Sequence, residues 1–455
     1  MKGRFIMEFK VGYNRQTIHP TEPIPLAGYS NEPQRLHKAI TEDICATAVA
    51  YSDGTTTVMT IGTDLCTLLD PLATDARLGV CAATGLSEEQ VYIAATHTHS
   101  GPAMARDDFE SIVRYRQQFV EGIILAAKEA MADLKPAKMY AGSIETENLN
   151  FVKHYKMRDN KTGEISVIGD QYGTDVGKTY MDHMTKADPT LHIVKFTREG
   201  GKDVVIANFR AHPHFTGGYT KYDLSSDYIG AFRMAFEAMH DCHCVYFQGA
   251  CGNLNSSTRL AGERRYTTCR SYGMGLAASA YECMQKRLTE VKPGPIKTKQ
   301  IKFYADINHS MDHLAEEGKR IWAMWRETYD KAACDVECAK VGLHSIYHAW
   351  SVYANSTRTR EEDGYLILNA VSLGDELAFV TYPGELFDSL SVRMEDGSPF
   401  RTTMLLGYCY HHRYYLPSMA AFKYGSYEVD TTRFKPGTGE EVADTYVEML
   451  KELKN

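Results

Sequence analysis

The sequence contains no run of roughly 20 apolar residues, the length a membrane-spanning helix requires, so stable membrane insertion is not expected. It has no surplus of positive charge either. Lysine and arginine number 50 against 58 acidic residues, for a formal charge of −8, a balance that argues against nucleic acid as a partner. The opening stretch Met1-Lys2-Gly3-Arg4-Phe5-Ile6-Met7-Glu8 lacks the apolar segment of a secretory signal. A disulfide framework is missing as well. The 11 cysteines are odd in number and scattered, which fits reduced thiols and a cytoplasmic location. Cys242-His243-Cys244 and the Cys334/Cys338 pair can each be read as metal-binding, but neither has the paired spacing of a structural zinc module. Free, partly buried thiols are the simpler reading. No Gly-x-Ser-x-Gly elbow occurs, so a serine esterase of the α/β-hydrolase kind is not indicated. Internal repeats, low-complexity linkers and sharp boundaries are absent too, which leaves residues 1–455 as one large unit.

What is present is a mixture of two periodicities. Ile44, Ala46 and Ala48 alternate with their neighbours, as do Thr57, Met59 and Ile61, with Ser52-Asp53-Gly54 as the turn between two strands. A helix is expected over 69–84, and Ser87 with Glu88, Glu89 and Gln90 makes a short capped turn. The clearest helix covers 109–134. Phe109, Ile112, Tyr115, Phe119, Ile123, Ala126, Ala130 and Leu134 recur there at threes and fours, so its aromatics are core. Further strands are expected over Met139–Asn150, Leu191–Phe196 and Val204–Phe209, and a helix over Ser226–Met239. The polar, glycine-bearing stretch 151–187 reads as a long loop over the site. A helical insertion at about 314–350 holds Trp322, Trp325 and Trp350. Leu366–Val371 and Glu376–Thr381 form a hairpin around Gly374-Asp375. This mixture of βαβ-like units and hairpins predicts a large mixed-sheet α/β domain with helices flanking the sheets.

Four segments share one local design, a strand that runs out into polar, metal-capable groups. The first is Ala94-Ala95-Thr96-His97-Thr98-His99-Ser100-Gly101-Pro102, where strand alternation would point His97 and His99 the same way. The others are Asn208–His214, which carries His212 and His214, then Tyr382-Pro383-Gly384-Glu385, and His411–Ser418, which carries Tyr415. Strand ends in α/β folds converge on a common crevice, so these groups can meet there. Two imidazoles and one carboxylate suit a catalytic zinc with an open position. Each group also has a plainer reading: surface histidines, strand-end caps, a first-turn acid for Glu385, a core aromatic for Tyr415. Asp64, at another strand end, is either a site residue or a helix cap. The turn Phe247-Gln248-Gly249-Ala250-Cys251-Gly252-Asn253-Leu254-Asn255 offers backbone amides to an oxyanion, or is simply tight. Cys251 has no adjacent base that would make it a nucleophile.

These motifs also follow a recognisable order. Val11-Gly12-Tyr13 through Ile18-His19-Pro20, then Leu26-Ala27-Gly28-Tyr29, precede Thr96–Pro102, Asn208–Pro213, Ser225-Ser226-Asp227, Gln248–Asn255, Pro383-Gly384-Glu385 and Tyr415–Ser418. Together they resemble the catalytic domain of the neutral/alkaline, non-lysosomal ceramidase family, over about residues 10–430. The resemblance implies a zinc amidohydrolase of mixed α/β fold that hydrolyses an N-acyl amide with zinc-activated water. The family's zinc ligands fall on His97, His212, Glu385 and Tyr415, with His214 as the alternative to His212. His99 is then expected against substrate or the metal-bound oxygen.

The departures from that family bear on the substrate. Asn255, followed by Ser256 and Ser257, stands where ceramidases carry a serine, and an amide can donate to an oxyanion but cannot act as a nucleophile. The arginine expected after Asn150 is missing, leaving Lys153 or His154 to supply the charge. No C-terminal immunoglobulin-like domain is expected. The expected activity is therefore Zn2+-dependent hydrolysis of a small or polar amide or ester rather than of ceramide. In that scheme His99 orients the water or shuttles its proton, Asn255 and the amides near Gly252 stabilise the tetrahedral oxygen, and Asp64 orients a ligand histidine. The alternatives are a metal-dependent esterase or phosphoesterase, and a ligand-binding member of the fold that has lost turnover.

Overall fold

The computed structural model describes residues 8–29, 35–169, 176–215 and 220–455. Its centre is a nine-stranded mixed sheet. Eight of the strands run in the order Cys242–Gln248, Asp203–Phe209, Thr190–Arg198, Lys135–Glu145, Lys10–Thr17, Cys45–Ser52, Thr57–Thr63, Val91–Ala95, and Thr289–Val291 pairs with Lys135–Glu145. Helices Leu72–Thr84 and Glu110–Ala132 pack together on one part of this sheet, and Tyr228–Met239 with Cys269–Lys286 on another. Gly12 permits the closest of these approaches. A Cβ there would meet the Ala130 carbonyl at 1.9 Å, so helix 110–132 rests directly on the backbone of the strand.

A four-stranded sheet, in the order Ile296–Tyr304, Tyr365–Leu373, Leu377–Thr381, Thr402–Leu406, packs on the first. Its strands show why alternation matters. Val371, Leu373, Leu377, Phe379, Met404 and Leu406 join the main core, whereas Leu366, Leu368, Ala370, Ala378, Val380 and Leu405 join a second core. That second core is closed by Leu390 and Met394 of helix Asp388–Gly397 and by Val442, Tyr446, Met449 and Leu450 of helix Thr438–Lys454. A period of two therefore serves two apolar layers at once. The result is the expected α/β architecture of a large mixed sheet flanked by helices.

Three strand–helix–strand crossovers organise the chemistry. Thr57–Thr63 and Val91–Ala95 run parallel around helix 72–84, Asp203–Phe209 and Cys242–Gln248 around helix 228–239, and Leu377–Thr381 and Thr402–Leu406 around helix 388–397. Parallel strands present their carboxyl ends side by side. The three pairs are then drawn together. The Asn208 side-chain amide donates to the carbonyls of Phe247 and Leu405, at 2.9 Å each, and the Gly407 amide donates to the Gln248 carbonyl at 2.8 Å.

Helices Ala315–Thr328, Lys331–Lys340 and Ile346–Ser356 form the expected helical zone around a small core of their own, which includes Ile321, Trp325, Ile346 and Val352. Cys334 and Cys338 are buried in that core, so they are packing groups. The capping box at Ser87 forms as expected.

Over 151–187 the structure departs from the expected loop. His154–Asp159, Ile165–Gly169 and Lys178–His183 build a three-stranded antiparallel sheet. Tyr155 and Met157 are buried between exposed Lys156 and Arg158, a half-buried alternation too short and too polar to stand out in the sequence. Residues 170–175 of that stretch, and Met1–Met7 of the opening one, lie outside the described residues. Among the described residues no helix is long and apolar enough to cross a membrane.

Candidate metal centre

The strand ahead of the first histidine motif ends at Ala95, so strand alternation is not what aligns the two rings. His97 instead adopts a left-handed backbone, φ 66°, an uncommon conformation for a residue with a branched ring at Cγ. The resulting turn brings His99 Nε2 to 3.3 Å from His97 Nε2. It is clamped from below. The Thr98 hydroxyl donates to the Ser225 carbonyl at 2.7 Å, and the His99 amide to the Pro213 carbonyl at 3.0 Å. Gly28 must be glycine for His99 to sit there, since its φ is +96° and a Cβ would lie 2.4 Å from that of His99.

Three side chains from the three crossovers meet at one point. His212 Nε2 lies 3.2 Å from His97 Nε2, and Glu385 Oε2 lies 3.5 Å from His97 Nε2 and 3.3 Å from His212 Nε2. The other ring nitrogens are already committed. His97 Nδ1 donates to the Cys66 carbonyl at 2.8 Å, and His212 Nδ1 to those of Cys251 and Leu254 at 2.7 and 2.9 Å. These carbonyls fix the tautomers and leave both Nε2 lone pairs facing the Glu385 oxygen. Glu385 Oε2 is buried with no hydrogen-bond partner among the described residues. Three lone-pair groups converging in this way need a proton or a metal cation between them, and two imidazoles with one carboxylate are a fitting donor set for a metal. Cys66 with His97 and His99 is a second grouping, but Cys66 Sγ lies 3.9 Å from His97 Nδ1, the nitrogen already committed to the Cys66 carbonyl.

Tyr415 joins through the backbone. Glu385–Leu386 pairs in parallel with Tyr415–Leu416, which sets Tyr415 beside Glu385 on the cleft wall. His214 does not reach the convergence point; its Nε2 is 3.0 Å from Asn255 Oδ1. Asn255 also lines the cleft.

Two other expected roles do not fit. Asp64 does not orient a ligand ring. Its oxygens accept from the Cys45 amide (2.8 Å), the Thr96 hydroxyl (3.1 Å) and the Arg233 guanidinium (3.1 and 2.6 Å), so it fixes the backbone ahead of His97. The Gly252 amide is not directed at an oxyanion, because it donates to the Leu386 carbonyl at 2.9 Å. Gly252 provides close approach instead: a Cβ there would meet the Glu385 carbonyl at 2.5 Å.

Sequence reasoning missed Tyr408 and Glu428, and it gave His412 no role of its own. Tyr408 stacks on the His97 ring at 4.0 Å between centroids, and its hydroxyl lies 3.0 Å from Cys251 Sγ. His412 Nε2 stands 3.8 Å from Glu385 Oε1. The buried Lys153 ammonium, 2.8 Å from Glu428 Oε1, lies over the Tyr415 ring at 5.2 Å, while His154 turns to the other Glu428 oxygen at 3.0 Å. Of the two cations proposed to replace the missing arginine, Lys153 is the one on the cleft wall. Glu428 carries no strand-end signal, and only the fold reveals it; Tyr408 does follow a strand, Thr402–Leu406, but an aromatic there reads as core.

The electrostatics follow from burial and this crowding. Burial opposes charge on Glu385, but His97 and His212 outweigh it and hold the carboxyl well below its usual range. Burial also disfavours a proton on His97, but Glu385 prevails and holds that imidazole well above its usual value. Burial and then Lys153 push His212 down to about 3. Burial and then the His97 charge push His99 well below its usual value. Burial and then Glu385 keep the Tyr415 phenol protonated. Without a metal, then, these shifts favour a proton on His97 at the convergence point.

A cleft of about 1050 Å3 opens over this point. Its walls carry Tyr29, Tyr347, Tyr415, Tyr424 and Tyr427, together with His99, Lys153, His214 and Asn255 and a rim from the helical zone at 331–347.

No protein-family model matches the sequence, and no curated protein matches it. Solved structures do. The fold is similar to that of neutral ceramidase from Pseudomonas aeruginosa, at TM-score 0.69 and 17% identity over 98% of this chain and 75% of that one. It is likewise similar to a ceramidase complexed with C2, at TM-score 0.72 and 18% identity, again over 98% of this chain and 75% of that one. The chain therefore has a neutral-ceramidase-like fold.

Proposed function

We propose that this protein is a zinc-dependent hydrolase of an amide or ester bond, a divergent relative of the ceramidases whose substrate is small or polar rather than ceramide. The observation that carries the reading is the convergence of His97 Nε2, His212 Nε2 and Glu385 Oε2 on one buried point beside the cleft. Tyr415 would complete the set from the wall. A zinc ion held there supplies Lewis acidity that polarises a carbonyl and acidifies water.

The chain's own groups do the rest. His99, kept neutral at working pH and 3.3 Å from His97 Nε2, is placed to take a proton at Nε2 and return it to the leaving group. With the Gly252 amide engaged, donors for the developing oxyanion come from the Asn255 amide and the Lys153 ammonium. The five tyrosines of the cleft offer hydroxyls and ring faces to a substrate, beside the aliphatic side chains of Val167, Ile168 and Leu343.

Asn255 favours a second reading, a ligand-binding member of the fold, because it brings no hydroxyl to the family's serine position and its Oδ1 is tied to His214. One experiment separates the two. Metal content is measured on the full chain, and short acyl amides and esters are screened before chelation, after it, and after zinc is restored. Zinc-restored turnover supports the hydrolase. One metal per chain with no turnover on any of them supports the binding protein, and no bound metal overturns the zinc hydrolase.

A further inference from the structure

A separate cluster of positive charge lies around Tyr414. The end of helix Ile346–Ser356, the turn after strand Thr402–Leu406 and the segment after helix Tyr427–Thr431 bring three guanidinium groups around Tyr414. Arg433 covers the Tyr414 ring at 5.4 Å, and Arg358 covers Trp350 at 5.4 Å, the two rings being 5.5 Å apart. Arg413 covers Tyr365 at 4.7 Å. Their hydrogen bonds go to neutral acceptors: Arg433 Nη1 to the Asp363 carbonyl (3.2 Å), Arg358 Nη1 to Asn355 Oδ1 (2.6 Å), Arg413 Nε to the Tyr365 carbonyl (3.5 Å). Among the described residues none of the three forms an ion pair with a carboxylate. The Asp363 carboxylate acts on Arg358 and Arg433 but gives its Oδ2 to the Thr359 amide at 3.1 Å.

Arg433 is only 5% exposed, and its Nε has no acceptor. Among the other buried polar atoms without partners are the Tyr382 hydroxyl and His412 Nδ1, and the charges of Arg433 and Arg413 act on both residues. Burial, then Arg358 and Arg413, push the Arg433 guanidinium down to about 9. A buried guanidinium without a counter-charge is costly. Guanidinium groups and a phenol supply donors, so what satisfies them is an acceptor bearing negative charge.

We propose that Arg433, with Arg413, Arg358 and the Tyr382 hydroxyl, holds a small inorganic anion, a halide or a tetrahedral oxyanion, in a site apart from the cleft. None of the three arginines lines the cleft, so this site stands or falls independently of the hydrolase reading.

The test uses the full chain and two probes, bromide and sulfate. Crystals grown without either are soaked in each and searched for anomalous or difference density bounded by Arg433, Arg413 and Tyr382. Density in the bromide arm alone identifies a halide site, and density with sulfate an oxyanion site. Empty density in both arms overturns the proposal. In solution, bromide or sulfate replaces gluconate at constant ionic strength while melting is followed. The expected result is a saturable rise in the Tm of the native chain. Arg433→Met should lose that rise and, in gluconate alone, melt no lower than the native chain, because it removes an unpaired buried charge. If that variant does not fold in gluconate, Arg433 is satisfied by the protein itself and the proposal fails. An anion effect that does not saturate, or is equal in both proteins, overturns it as well.

Discussion

His97 Nε2 and His212 Nε2 face one another at 3.2 Å, each ring anchored at Nδ1 by a backbone carbonyl from the loop beside it. Two nitrogens so oriented cannot satisfy each other unless one is protonated or a metal lies between them. His97→Ala and His212→Ala should therefore each bring bound zinc from about one per chain to near zero. Turnover should fall by more than the roughly 10–100-fold that loss of an outer partner costs. Metal analysis alongside the hydrolysis assay checks both. A His97→Ala chain that kept its metal and its rate would disprove the ligand assignment.

Proton and metal compete for one place. His97 carries the proton in the metal-free protein and must release it to bind zinc. Zinc affinity should then fall as pH drops through the raised pKa of His97, with about one proton released per metal in titration calorimetry across two buffers. The stability signs follow. The His97 contribution to the metal-free fold is complete below its unfolded value, roughly 6.5, and disappears as pH rises through the folded value. Glu385, lowered in the fold, contributes above its unfolded value, and that part is lost as pH falls through the folded one. Melting of the metal-free chain should decline on the alkaline side, and the zinc-loaded chain should resist that decline.

Gly252 is tied to the centre by contact rather than by hydrogen bonding to substrate. Its missing side chain lets the 249–255 turn lie against the Glu385 carbonyl, where a Cβ would come within 2.5 Å. Gly252→Ala should cost about 1–3 kcal/mol through overpacking and weaken zinc binding by moving Glu385. Denaturant unfolding and a zinc titration measure the two losses. Unchanged zinc affinity would show that the turn does not set the position of Glu385.

How far the sequence anticipated this centre depended on where each group lies along a strand. His97, His99, His212 and Glu385 were legible because all four follow apolar strands, and the carboxyl ends of parallel strands gather at one edge. The left-handed turn at His97 was not legible, since nothing in Thr-His-Thr-His specifies a positive φ. The anchors of the two ligand rings are carbonyls of Cys66 and Cys251, and a backbone acceptor leaves no mark in composition. The small sheet at 154–183 was hidden because its outer face is as polar as a loop, with Tyr155 and Met157 as the buried pair. Asp64 was found for the right reason, a strand-end acid, but its function depends on Arg233, 169 positions later.

That pair supports a last prediction. Asp64 is fully buried and binds Arg233 through two hydrogen bonds while its Oδ1 steadies Thr96, the residue before His97. Removing one partner strands the other charge in the core, so Asp64→Ala should destabilise the fold by about 3–5 kcal/mol. The double change Asp64→Leu with Arg233→Met removes both charges and should recover much of that loss. A residue that oriented a ligand imidazole would behave otherwise: its loss would weaken zinc binding, and the apolar pair would not restore it. Unfolding midpoints for the two variants, read beside their zinc affinities, decide between the roles. Recovered stability with metal affinity close to native assigns Asp64 to the backbone beneath the centre, whereas a lasting loss of zinc in the double variant would place it back among the groups that hold the metal.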